Sequence, residues 1–212
     1  MIFDNTSSQN LYLPLKIDVF VIPFACKIKF LGLILDRNLK WNYHINSLVS
    51  NIAKLSGILF QVRSKLTLAA FKSLYYSLVY SKVIYCISIW GGTFEKYTNA
   101  MRVAQNRVLR SYFGIRKCDS VREIYSNLEL LKFEQIYKLF CGTLIFKFQM
   151  SQYCNNVFRK VNEVHNRHTR ASMFDIFIVA PSISAVEHST IVKCPQYFNQ
   201  LPLCIKQSSS LR

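Results

Sequence analysis

Two carboxylates a few ångströms apart can hold the paired magnesium ions of phosphoryl transfer. The chain has 11 Asp and Glu, and no two are adjacent; Asp4, Asp18 and Asp36 stand isolated and fit no such pair. His165 and His168 with Cys154 and Cys194 supply the donor types of a zinc site. Their spacing matches no zinc pattern, and the histidines fit better in the basic loop VHNRHTR at 164–170. No Gly-x-Ser-x-Gly, phosphate-cradling glycine loop or His-Glu-x-x-His occurs. The expectation is therefore no catalytic residue and no metal or cofactor held by this chain.

The cations are patterned where the anions are not. At 100° per residue the stretch 94–113 separates into Phe94, Tyr97, Met101, Ala104, Val108 and Tyr112 on one side and Lys96, Asn99, Arg102, Asn106, Arg107 and Arg110 on the other. Gly114 supplies a C-terminal stop, and Arg116 with Lys117 extends the positive patch. Glu95 is the one acid on this helix, so its cations lack i,i+4 partners and read as phosphate contacts; a merely solvated face is the plainer alternative. Across the chain 27 Lys and Arg against 11 acids give +16, which calls for a polyanion: nucleic acid, or an anionic membrane surface.

These residues need elements to carry them. The stretch 11–22 predicts a strand that pairs antiparallel, through a loop at 23–26, with a buried strand at 28–35. Gly32 inside the second strand marks a bulge or a close approach of another backbone, such as a nucleic-acid strand. Apolar residues at Ile45, Leu48, Val49, Ile52, Leu55, Leu59 and Val62 predict a helix over 43–62. Thr67 caps the next one, and Trp90, Gly91 and Gly92 end that run in a turn. Ser120 with Glu123 forms a capping box for a short helix, and 128–150 predicts a longer one. Beyond 151 periodicity fades, leaving one strand near 176–179 and a turn-ending apolar patch, YFNQLP, at 197–202. The chain thus reads as mainly α: a hairpin at 1–41, a helical bundle at 42–150, and an irregular basic segment at 151–212.

Seven widely spaced cysteines without Cys-x-x-Cys read as reduced thiols, and MIFDNTSSQN lacks a secretory pattern, so an intracellular protein of the nucleus or cytoplasm is expected. The stretch 73–90, SLYYSLVYSKVIYCISIW, has one charge and approaches the length of a membrane span. Lys82 at mid-membrane and four tyrosines far from the interface argue instead for a helix buried in the core. No membrane is therefore expected, and a basic membrane-associated protein is the runner-up.

The segment KIKFLGLILDRNLKW at 27–41 resembles the reverse transcriptases of Jockey-like non-long-terminal-repeat retrotransposons, whose Lys-x-Leu-Gly strand followed by Asp, Leu and Trp forms a hairpin that holds the primer end. SLYYSLVYSKVIYC, Trp90-Gly91, the 105–110 helix, HNRHTR and YFNQLP follow in that family's order, so the resemblance covers roughly 16–212. Ser81 stands where the family commonly has proline, and Tyr197-Phe198 replaces a tryptophan. The resemblance implies a primer-gripping hairpin and a helical thumb from an RNA-directed DNA polymerase, without the magnesium-binding Asp-Asp pair that the parent enzyme needs. It further implies an RNA template/DNA primer duplex and the missing fingers-palm domain as partners. The nucleic-acid-binding residues would be Lys27, Lys29, Gly32, Trp41, Lys96, Arg102, Arg107, Arg110, Arg116, Lys117, His165, Arg167 and Arg170.

Overall fold

The stretch expected to supply one strand before residue 23 folds back on itself. In the computed structural model, which describes residues 16–22, 25–150, 157–165, 173–181 and 184–207, β1 (Lys16–Ile17) and β2 (Phe20–Val21) close a small hairpin of their own. The expected pairing of 11–22 with the next segment is thereby corrected. The apolar run 28–35 also folds in half: β3 (Lys27–Phe30) pairs antiparallel with β4 (Leu33–Asp36), Lys27 opposite Asp36 and Phe30 opposite Leu33. Leu31 and Gly32, with φ of 45° and 81°, are its two-residue turn. Positive φ at both positions gives a primed turn, whose twist matches that of the strands. Gly32 is therefore the hairpin tip rather than a bulge.

Asp36 organises the link from hairpin to helices. Its carboxylate, almost wholly buried, accepts the backbone N–H groups of Asn38 at 3.2 Å, Lys40 at 3.0 Å and Trp41 at 2.7 Å. This clamp turns the chain and delivers Trp41, at φ 63°, as the residue before α1 (Asn42–Val62). Trp41 is 8% exposed and packs its ring edge-on to His44. Thr93 locks the same turn by donating its hydroxyl to the Lys40 carbonyl.

The predicted helical stripe of α1 holds, with Ile45, Ile52 and Leu59 buried. It packs along α5 (Glu95–Phe113), which buries Met101, Ala104, Gln105, Val108 and Leu109. Between them Thr67 caps α2 (Leu68–Leu74), its hydroxyl accepting from the Ala70 N–H. The helix then widens into π turns over Tyr75–Tyr80, continues as α3 (Ser81–Ile84), and breaks at Cys86, φ 51°, before α4 (Ile87–Trp90). The widening accompanies Tyr75, Val79 and Val83 four residues apart, all fully buried. The membrane-span alternative is thereby overturned: 73–90 is broken, and among the described residues no helix is long and apolar enough to cross a membrane.

Gly91 and Gly92 end this run because their backbone lies against Tyr137. A Cβ on Gly91 would sit 2.6 Å from the Ile87 carbonyl and 2.6 Å from the Tyr137 ring; one on Gly92 would meet the Tyr137 hydroxyl and the His188 carbonyl at 2.8 Å. Tyr137 lies on α7 (Phe133–Met150), which follows α6 (Arg122–Asn127) and starts five residues later than expected. A turn with Glu129 at φ 55° occupies the interval and buries Leu128 and Leu130.

The segment expected to be irregular after 151 is also corrected in part. It contains α8 (Val161–Val164), α9 (Ser184–Glu187), α10 (Thr190–Asn199) and α11 (Leu203–Lys206). The ten-residue α10 packs along α7 and buries Val192, Cys194 and Phe198. YFNQLP is thus a helix end, where Asn199 clasps the backbone of Ile176 through both amide atoms at 2.9 Å. Lys206 reaches Asp175 and the Asn199 carbonyl, each at 2.7 Å. The expected strand near 176–179 is a single bridge, Lys160 to Ile176.

Candidate nucleic-acid interface

The C-terminal ends of α1 and α5 lie side by side and leave a groove of about 780 Å³ between them. Arg63, Arg107, Arg110 and Lys117 line it together with Phe60, Val103, Ser111, Gly114 and Ile115, and no acidic residue does so. The local sequence explains this convergence. Arg63 is the residue after α1, Arg107 and Arg110 stand one turn apart on α5, and Gly114 ends α5 in the left-handed conformation, turning Ile115 and Lys117 back over the helix end. Gly114 also makes room, since a Cβ there would lie 2.6 Å from a guanidinium nitrogen of Arg63. Arg63 lies over the Phe60 ring at 4.4 Å.

The cations differ in how far they are already engaged. Arg107 and Lys117 are exposed. Arg110 is half-buried; its Nη2 donates to the Asp119 carbonyl at 2.9 Å, while its Nε is buried without a hydrogen-bond partner. Part of this charge serves the helix ends, whose last carbonyls attract cations. Four cations with no carboxylate among them exceed the needs of two helix ends and concentrate positive charge in this groove.

The structure brings some expected residues here and not others. Arg102 faces away from the groove, paired with Glu134 of α7 at 2.5 Å and half-exposed, so its carboxylate partner comes from a neighbouring helix. Lys96 is exposed near the opposite end of α5, and Arg116 is exposed without lining the groove. Lys27 and Lys29 are exposed on β3, where Lys27 stands 5.1 Å from the Tyr43 ring. The hairpin is docked at the start of α1, where the Ile34 N–H meets His44 Nδ1 at 3.4 Å. Since α1 has 21 residues, the lysines and the groove are separated by about 30 Å of helix. Gly32 sits against Tyr85, whose hydroxyl donates to the Leu31 carbonyl.

Trp41 is a core residue closing the Asp36 turn, and with 8% of it exposed little of its ring can meet a nucleic acid. His165 is exposed and packs edge-on to Phe177 at 5.4 Å, while Arg167 and Arg170, with His168, lie outside the described residues. Sequence reasoning misses Arg63. It stands just past the apolar stripe of α1 and belongs to no basic run that would single it out, so only the fold sets it beside α5.

A few buried polar groups sit inside the helical bundle. Gln105, fully buried, donates from Nε2 to the Tyr75 hydroxyl at 2.9 Å and to the Leu131 carbonyl at 3.4 Å. Burial pushes the Tyr75 phenol up to about 12, so it stays protonated. Burial also lowers the pKa of His44 below the usual imidazole value, favouring its neutral form. Asp36 does not fit as a magnesium ligand, because both of its oxygens already accept backbone N–H groups. Among the described residues no group of three His, Cys, Asp or Glu side chains is placed to hold a metal ion.

No protein-family model matches the chain, and no solved structure matches it. The chain is 32% identical over 108 residues to the RNA-directed DNA polymerase from mobile element jockey of Drosophila funebris. That match covers 49% of this chain and 12% of the polymerase. About half of this chain is therefore similar to a short region of a retrotransposon-encoded RNA-directed DNA polymerase.

Proposed function

We propose that this chain is a nucleic-acid-holding unit derived from a retrotransposon reverse transcriptase, equivalent to its primer-grip hairpin and helical thumb. The observation that carries the reading is the acid-free groove of Arg63, Arg107, Arg110 and Lys117, joined to the partial likeness to the jockey polymerase. In this reading the chain grips the backbone of an RNA template/DNA primer duplex inside the cell, and a fingers-palm domain supplies the chemistry. The 212 residues provide no adjacent carboxylate pair, and Asp36 is spent on its turn, so no primer extension is expected from them alone.

The test is the salt dependence of binding to a labelled RNA/DNA hybrid, measured by fluorescence anisotropy. Each phosphate neutralised on B-DNA contributes about 0.9 to the slope of log K against log salt. Arg107→Ala with Lys117→Ala should flatten that slope by about 1.8, the sum for two such contacts. An unchanged slope removes the groove from the interface. Magnesium-dependent primer extension by the purified chain would overturn the division of labour.

A further inference from the structure

The groove is lined by apolar as well as basic side chains. Phe60 and Val103 are 52% and 54% exposed, and Ile115 lies beside them. A paired duplex turns sugars and phosphates outward and keeps its bases stacked inside, so it can satisfy the cations and leave the apolar lining wet. An unpaired nucleotide has both a phosphate and a free aromatic face, which is how single strands are held without sequence preference. The Arg63 guanidinium over the Phe60 ring adds a flat, charged surface of the kind on which bases stack. The groove volume, about 780 Å³, lies within the range of clefts that enclose small ligands, about 300–1,000 Å³.

We propose that this groove takes an unpaired nucleotide of the bound nucleic acid, with its base against the Arg63–Phe60 stack, Val103 and Ile115 and its phosphates on Arg107 and Lys117. The proposal rests on the nucleic-acid reading and adds which form of the strand the groove selects.

The full chain is titrated with a 12-nucleotide single strand carrying 2-aminopurine and, separately, with a blunt 12-base-pair duplex. The wild type should bind both and quench the 2-aminopurine of the single strand. Phe60→Ala with Val103→Ser should weaken the single strand about five-fold or more, consistent with the loss of one stacked base, and leave its salt slope and the duplex affinity unchanged. Phe60→Trp, which keeps a stacking surface, should retain single-strand binding; its loss there would overturn the proposal even if the double variant behaved as expected. Equal weakening of both ligands, no weakening of either, or a wild type that binds duplex alone overturns the proposal and leaves the nucleic-acid reading standing. Failure to bind either ligand defeats both.

Discussion

Asp36→Asn isolates the turn that joins the hairpin to the helical bundle. The substitution keeps the shape of the side chain but replaces one carboxylate oxygen with an NH2 group, so one of its N–H partners faces a donor. With the amide placed toward Trp41, the 2.7 Å bond is lost and a buried N–H is left unsatisfied. A hydrogen bond to a charged group contributes about 1.5–3 kcal/mol, and the remaining bonds weaken when the charge goes, so a loss of about 2–4 kcal/mol is expected. At about 2–4 °C per kcal/mol for a chain of this size, Tm should fall by about 4–16 °C. Urea unfolding followed by tryptophan fluorescence reports directly, because the two tryptophans, Trp41 and Trp90, both lie in the core. A change under about 1 kcal/mol with unaltered fluorescence would refute the clamp as the device that seats Trp41.

Gly92→Ala forces a methyl group into the Tyr137 hydroxyl and the His188 carbonyl; overpacking of this kind should cost about 1–3 kcal/mol in chemical denaturation. Gly114→Ala keeps a residue at φ 66° and pushes Arg63 from its seat, so about 1–2 kcal/mol of stability should be lost and the salt slope of nucleic-acid binding should flatten. His44, its pKa lowered by burial from 6.5, binds a proton less readily folded than unfolded. Stability should therefore be full above about pH 6.5 and fall as the pH drops toward the folded value, and His44→Gln should flatten that dependence in denaturation series at several pH values. Glu134→Gln breaks the pair with Arg102, but both side chains are about 40% exposed, so the cost should stay under about 1 kcal/mol by the same measurement.

The long helices are legible in the sequence because their apolar residues recur every three or four positions, as at Ile45, Ile52 and Leu59. Thr67 and Gly114 mark their own helix ends through cap and stop chemistry. The hairpin is hidden because 28–35 is apolar almost throughout, and its turn is announced only by Gly32, which also fits a bulge. The place of Trp41 depends on a buried carboxylate five residues earlier, which a side-chain pattern does not reveal. The late helix 190–199 escapes notice because Pro195 interrupts its helical signature, and its stability comes from packing on α7. Of the candidate site, Arg107, Arg110 and Lys117 are visible as a basic face, whereas Arg63 and the apolar lining depend on the tertiary meeting of α1 and α5.

The N-terminal hairpins leave apolar side chains beside open strand edges. Val19, Phe20 and Leu31 are 91%, 80% and 73% exposed, on two-stranded ribbons whose outer edges have no neighbouring strand among the described residues. Such edges invite copies of the chain to join edge to edge at high concentration. A clustered sample presents several basic grooves to one oligonucleotide and inflates its apparent affinity, so titrations are sound only at dilutions where light scattering reports a single particle size.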